Sequence, residues 1–186
     1  MKSSILYIIL SVTLLAGYNQ TNYTPKALFK EIKKISNCDK PTYEVLIINS
    51  NSTKSPLNGK YFKYNNTLPI KYAYIGRVLT CRAHGCSSSN KEKSTENAEY
   101  FDYFILFDSN GSILSVQIFN YEASHGQQIT VKSWLKQFIG YNGSKELIVG
   151  KEIDAIAGAT ISAHNITYDI SNKTTILKTH ILETNK

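Results

Sequence analysis

Several familiar signatures are missing from this chain of 186 residues, and each absence removes a class of function. No glycine-rich dinucleotide turn follows any strand-like segment, so a Rossmann domain is not expected. Haem attachment through Cys-x-x-Cys-His is absent too. No Ser/His/Asp arrangement and no carboxylate pair is brought together by the sequence, which argues against a conventional hydrolase. Basic residues outnumber acidic ones, 21 to 14, for a formal charge of +7. They are scattered, as in Lys30, Lys33, Lys34, Lys54, Lys60, Lys63, Lys71, Lys91 and Lys93, with no focused stripe and no recognisable nucleic-acid module. Nucleic-acid binding is therefore not expected, and a solvated basic surface with weak attraction to anionic membranes or partners is the better account.

Hydrophobic residues make up 42% of the chain, enough to bury a core in one domain. Lys2, the apolar run Ile5 to Ala16 and the polar residues from Asn19 read as a signal peptide over residues 1–20. The apolar run is too short to span a bilayer. There is no Ala-x-Ala cleavage triplet, and Tyr18 stands where a lipidated cysteine would follow Leu14-Leu15-Ala16-Gly17. Export is expected, with residues 21–186 as a single domain.

That domain opens with a helix: Thr24 can cap it, Pro25 suits its first position, and Leu28, Ile32 and Ile35 share one face. Val45 to Ile48 reads as a short buried strand, Tyr61, Phe62 and Tyr64 as an aromatic cluster, and Ile70 to Leu79 as a further strand. The run from Tyr100 to Phe107 is nearly continuous in aromatic and branched residues, as in a strand covered on both faces. Asp108-Ser109-Asn110-Gly111 turns the chain, and Leu114, Val116 and Ile118 then alternate with Ser115 and Gln117. These elements predict an α+β fold, an antiparallel β-sheet with a central hairpin and flanking helices. Trp134, Leu135 and Phe138 fit one face of a short helix ended by Gly140. Ile166, Ile170, Leu177 and Ile181 place a last helix from Ser162, broken near Ser171 where β-branched and polar residues accumulate.

The stretch Asp154-Ala-Ile-Ala-Gly-Ala-Thr-Ile-Ser162 carries the chemistry. Ala155, Ala157, Gly158 and Ala159 leave the backbone open to close approach, and Gly158 can adopt angles other residues avoid. Thr160 and Ser162 supply hydroxyls where a helix begins, a natural seat for a phosphate. Upstream, His125 sits in a loop ahead of Trp134, with a core-loop role as the plain alternative.

Asp154, Gly158, Ala159 and Thr160 resemble the flavinylation motif of the FMN-binding domain family, found in subunits of the sodium-translocating NADH:quinone reductase and the Rnf complex. Ala157 stands where that family has Ser or Thr, and Gln127 to Val131 lack its Thr-Pro-Gly loop. The order of hairpin, His125, Trp134 to Phe138 and Asp154 to Thr160 is similar over residues 98–170. The resemblance implies FMN joined through its phosphate to Thr160 by a flavin transferase. It also implies that Asp154 helps assemble the attachment site and that Gly158 and Ala159 let the transferase approach. His125 and Trp134 then become candidates for lining the flavin pocket, and Ser162 joins them as a hydroxyl near the phosphate. No residue is assigned a catalytic role, and no metal site is assigned.

Three cysteines are present. Cys81-Arg82-Ala83-His84-Gly85-Cys86 sets two thiols around an imidazole, and outside the cytoplasm a Cys81–Cys86 disulfide is the plainest reading. A metal site would need a fourth ligand and closer pairing, and a redox-active pair is the other alternative. Cys38 is left over, buried or paired with another chain. The expected protein is an exported flavoprotein at the periplasmic or outer face of a bacterial membrane. It would pass electrons to a redox partner protein or membrane complex. The alternatives are a domain of the same fold without covalent flavin, and a surface binding or adhesion module.

Overall fold

The computed structural model describes residues 20–48, 59–82 and 98–184, with backbone alone at residues 81, 82 and 98. Residues 1–19, Cys86 and the polar stretch from Ser87 to Asn97 lie outside the described residues, as does the side chain of Cys81, so the expected Cys81–Cys86 disulfide does too.

Five antiparallel strands run in chain order across one sheet: β1 (Tyr43–Leu46), β2 (Gly59–Tyr64), β3 (Tyr72–Arg82), β4 (Ala98–Phe107) and β5 (Ile113–Glu122). Such a meander follows from short local connections between alternating segments. β3 and β4 are the long interior strands, which is why their residues read as near-continuous apolar runs. The hairpin anticipated from Asp108 to Gly111 forms, and its return strand β5 is the outer strand of the sheet. Its loop is wider than a two-residue turn: the Asp108 carboxylate accepts from the amides of Asn110 and Ser112, both at 2.8 Å, while Gly111 takes φ +79°. Val45 was expected to be buried, yet β1 is an edge strand with Tyr43, Glu44 and Val45 exposed.

Alternation along the strands sends side chains to two cores. On one face, Leu28 and Ile32 of α1 (Lys26–Ser36) pack on Phe62, Tyr64, Ile75, Phe104 and Leu106. Pro25 precedes α1 rather than opening it, and Asn37 ends it in the left-handed region, donating its amide to the Lys33 carbonyl at 2.8 Å. On the other face, Ile166, Ile170, Leu177 and Ile181 of α3 (Thr160–Thr184) meet Tyr61, Tyr74, Phe101, Tyr103 and Ile105. Helices thus cover both faces of the antiparallel sheet, the α+β class.

α3 is continuous for 25 residues, without the break anticipated near Ser171. Its hydroxyl residues are absorbed rather than disruptive. Thr174, Thr175 and Thr179 each donate to the carbonyl four residues earlier, at 2.7–3.0 Å. Among the described residues no helix is long and apolar enough to cross a membrane.

Candidate functional site

The site forms where the chain leaves β5 and where it enters α3. Tyr121, near the end of β5, stacks on Phe101 with ring centroids 5.6 Å apart and donates its hydroxyl to the His125 carbonyl at 2.5 Å. Glu99 holds Ser124 through that residue's amide and hydroxyl. Gly126 follows at φ +86°, and a Cβ there would sit 2.6 Å from Ser162 Oγ. Only glycine lets this turn lie against α3.

The chain then makes a 3-10 turn (Gln127–Thr130), the short α2 (Lys132–Leu135) and a second 3-10 turn (Lys136–Phe138). Trp134 is buried edge-on against Phe138, and its indole N–H donates to the Asp154 carbonyl at 2.8 Å. Gln137 completes the clamp: its Oε1 accepts from the Asp154 amide at 2.8 Å and its Nε2 donates to the Trp134 carbonyl at 3.1 Å. Both backbone polar groups of Asp154 are therefore held by side chains, and its own side chain is left exposed.

From there the small-residue run enters α3. Gly158 takes φ +78°, with Gln128 Nε2 as the nearest group that a Cβ would meet, at 3.7 Å. Ala159 is buried, and its carbonyl accepts the first helical bond from Ala163 at 2.9 Å. Thr160 is the first residue of α3 and is exposed. The opening amides of a helix have no partner within it and carry the positive end of its dipole, so this terminus favours an anion. Beside it, His125, Gly126, Gln127 and Gln128 face Gly158 across an open recess of about 500 Å³.

The structure brings His125, Gly158, Ala159 and Thr160 into one region. Trp134 contributes through its grip on Asp154, with its ring in the core. Ser162 is placed differently from the rest. Two residues beyond Thr160 turns about 200° around a helix, so Ser162 points inward, buried under Gly126 and 3.5 Å from the Tyr121 hydroxyl. Gln128, Gln137 and Tyr121 went unnoticed in the sequence. Only Gln137 carried a signal, standing one helical turn after Trp134.

Cys38 is half-buried with a free thiol. Among the described residues no group of three or more His, Cys, Asp or Glu side chains could hold a metal ion. No protein-family model matches the chain, and no curated protein matches it significantly.

Proposed function

We propose that this protein is an exported flavoprotein carrying FMN in phosphoester linkage to Thr160, and that it transfers electrons outside the cytoplasm. One observation carries the reading. The motif's terminal threonine is an exposed hydroxyl at the first position of a 25-residue helix, next to an open recess containing His125 and Gly158. The residues fit the group. The start of α3 offers amides and a favourable dipole to a phosphate. Ala159 and Gly158 place no bulk beside the acceptor, and Gly158 holds the turn that delivers it. Trp134 and Gln137 fix the backbone at Asp154, where the motif begins. When bound, the flavin would supply the redox chemistry, while the protein positions it and tunes its surroundings. Flavin transferase would be the maturation partner, and a redox protein or membrane electron-transport complex would exchange electrons with it.

Coexpression with a flavin transferase tests this reading, with intact mass and visible absorbance as readouts. The wild type is expected to be yellow and heavier by one FMN-phosphoryl group, and Thr160→Ala to be colourless and unmodified. An unmodified wild type, or a modified Thr160→Ala, would overturn it.

A further inference from the structure

A second recess of about 440 Å³ lies between α3 and the loop over residues 146–149. The loop is held firmly. Tyr141 donates its hydroxyl to the Lys145 carbonyl at 2.9 Å and lies 2.9 Å from Ser171 Oγ on the helix. The Ile148 amide donates to Glu152 Oε2 at 3.2 Å, while the Ile148 carbonyl accepts from Lys151, Glu152 and Ile153 at 3.0–3.3 Å. At Gly143 the backbone passes so near the helix that a Cβ would stand 3.3 Å from Thr175 Oγ1. The recess is a preformed feature between two fixed walls.

Its lining is chemically selective. The helix contributes mainly polar groups, among them His164, Thr167, Asn172 and Thr175, together with Tyr168. The loop contributes Glu146 and the aliphatic residues 147–149, and neither lysine nor arginine lines the recess. An anion would find no cation there. A wholly apolar ligand would match the aliphatic loop wall but leave the hydroxyl and carboxamide groups of the helix wall unpaired, at a cost for every group it desolvates. Thr167 is already in that condition: it is 2% exposed, and its hydroxyl has no hydrogen-bond partner. Such orphaned groups are uncommon in folded proteins and call for an explanation. Tyr168, by contrast, is 73% exposed, the most exposed large hydrophobic side chain along α3 and the one that borders this recess.

An exposed aromatic ring beside hydroxyl, carboxamide and carboxylate groups suits a ligand with one apolar C–H face and a rim of hydroxyls that donate and accept. We propose that this recess binds a neutral sugar of one or two pyranose rings. Tyr168 is the stacking platform, and Asn172, Thr175 and Glu146 are the polar partners. The volume falls within the range of small-molecule sites, roughly 300–1,000 Å³. The proposal does not depend on the flavin.

The test is a titration of the exported protein with maltose, cellobiose and N,N′-diacetylchitobiose, followed by backbone amide proton–nitrogen correlation spectra. One of the three is expected to give saturable shifts in residues 146–149 and 164–175. Tyr168→Ala should weaken that binding at least about tenfold, whereas Tyr168→Phe should keep it and Asn172→Ala should reduce it. Tyr168 is at the surface, so its loss leaves the core intact and the spectrum folded. Absence of shifts with all three sugars would overturn the proposal. So would shifts confined to Ser124 to Gln128 and Gly158, or binding unchanged in Tyr168→Ala.

Discussion

Trp134 and Asp154 are joined by one hydrogen bond of 2.8 Å, from the indole nitrogen to the backbone carbonyl. That bond ties the segment leaving the sheet to the segment that runs from Asp154 into α3. Trp134→Phe keeps an aromatic ring in the core and removes the donor. A neutral hydrogen bond of this kind contributes about 1 kcal/mol, somewhat more if its buried partner is left unsatisfied. We expect a comparable loss in denaturant-derived stability, together with slower flavin attachment during coexpression. Normal attachment with lowered stability would limit Trp134 to a packing role.

Gly126 and Gly158 both lie in the left-handed region, at φ +86° and +78°, yet they should respond unequally to alanine. At Gly158 the added methyl meets only Gln128 Nε2 at 3.7 Å, so the cost is the backbone term, about 1–2 kcal/mol. At Gly126 it would also stand 2.6 Å from Ser162 Oγ and 3.0 Å from the Tyr121 hydroxyl. Overpacking of that kind adds about 1–3 kcal/mol. Thermal unfolding of the two variants should therefore rank Gly126→Ala well below Gly158→Ala. Equal losses would mean that the turn moves away from α3 at little cost.

How far this architecture was legible in the sequence depended on whether a residue's environment was set locally. Tyr100 to Phe107 announced an interior strand because both faces of β4 are covered, and the residues themselves say so. Val45 misled, since a run of four apolar residues looks the same at an exposed edge as in a core. The continuity of α3 was hidden because Ser171, Thr174 and Thr175 are poor helix formers by propensity. Burial of Ile170 and Leu177 against the sheet overrides that preference. At the site, the left-handed turn at Gly158 and the helix start at Thr160 could be read from the sequence. Gln128 facing Gly158 could not, because the two are 30 positions apart and meet only through the packing of Gly126 on Ser162.

Asp169 gives α3 a pH dependence. Burial raises its carboxyl above the ordinary value of 3.8, while Lys173 at 3.3 Å and the Tyr103 hydroxyl at 2.6 Å oppose that shift without cancelling it. A carboxyl with a raised folded-state value keeps more protons in the native state than in the unfolded one. Its contribution is then full at pH below 3.8 and declines as pH rises through the folded-state value. Asp169→Asn removes the titration and leaves the charged Lys173 as a constant offset over that acidic range. The melting-temperature difference, wild type minus variant, should therefore fall as pH increases from below 3.8. A flat or rising difference would mean that the ion pair dominates the burial.

Tyr74 gives the sharpest contrast with its neighbour Tyr103. The two rings lie 5.8 Å apart in the same core, and burial raises the pKa of both hydroxyls. Tyr103 has a charged acceptor in Asp169, whereas the Tyr74 hydroxyl is buried without a partner. Space for it exists only because Gly59 and Gly76 flank it, where a Cβ would come within 2.5 and 2.3 Å of the hydroxyl. Desolvating a hydroxyl without a partner costs about 1–3 kcal/mol, and a hydrogen bond to a charged group contributes about 1.5–3 kcal/mol. Tyr74→Phe should thus leave stability unchanged or raise it by about 1 kcal/mol, after allowance for the small space vacated. Tyr103→Phe should lower it by about 2 kcal/mol, because Asp169 loses a donor inside the core. Denaturation midpoints of the two variants, measured side by side at neutral pH, decide the matter. A Tyr74→Phe loss as large as that of Tyr103→Phe would show that the Tyr74 hydroxyl is hydrogen-bonded in solution.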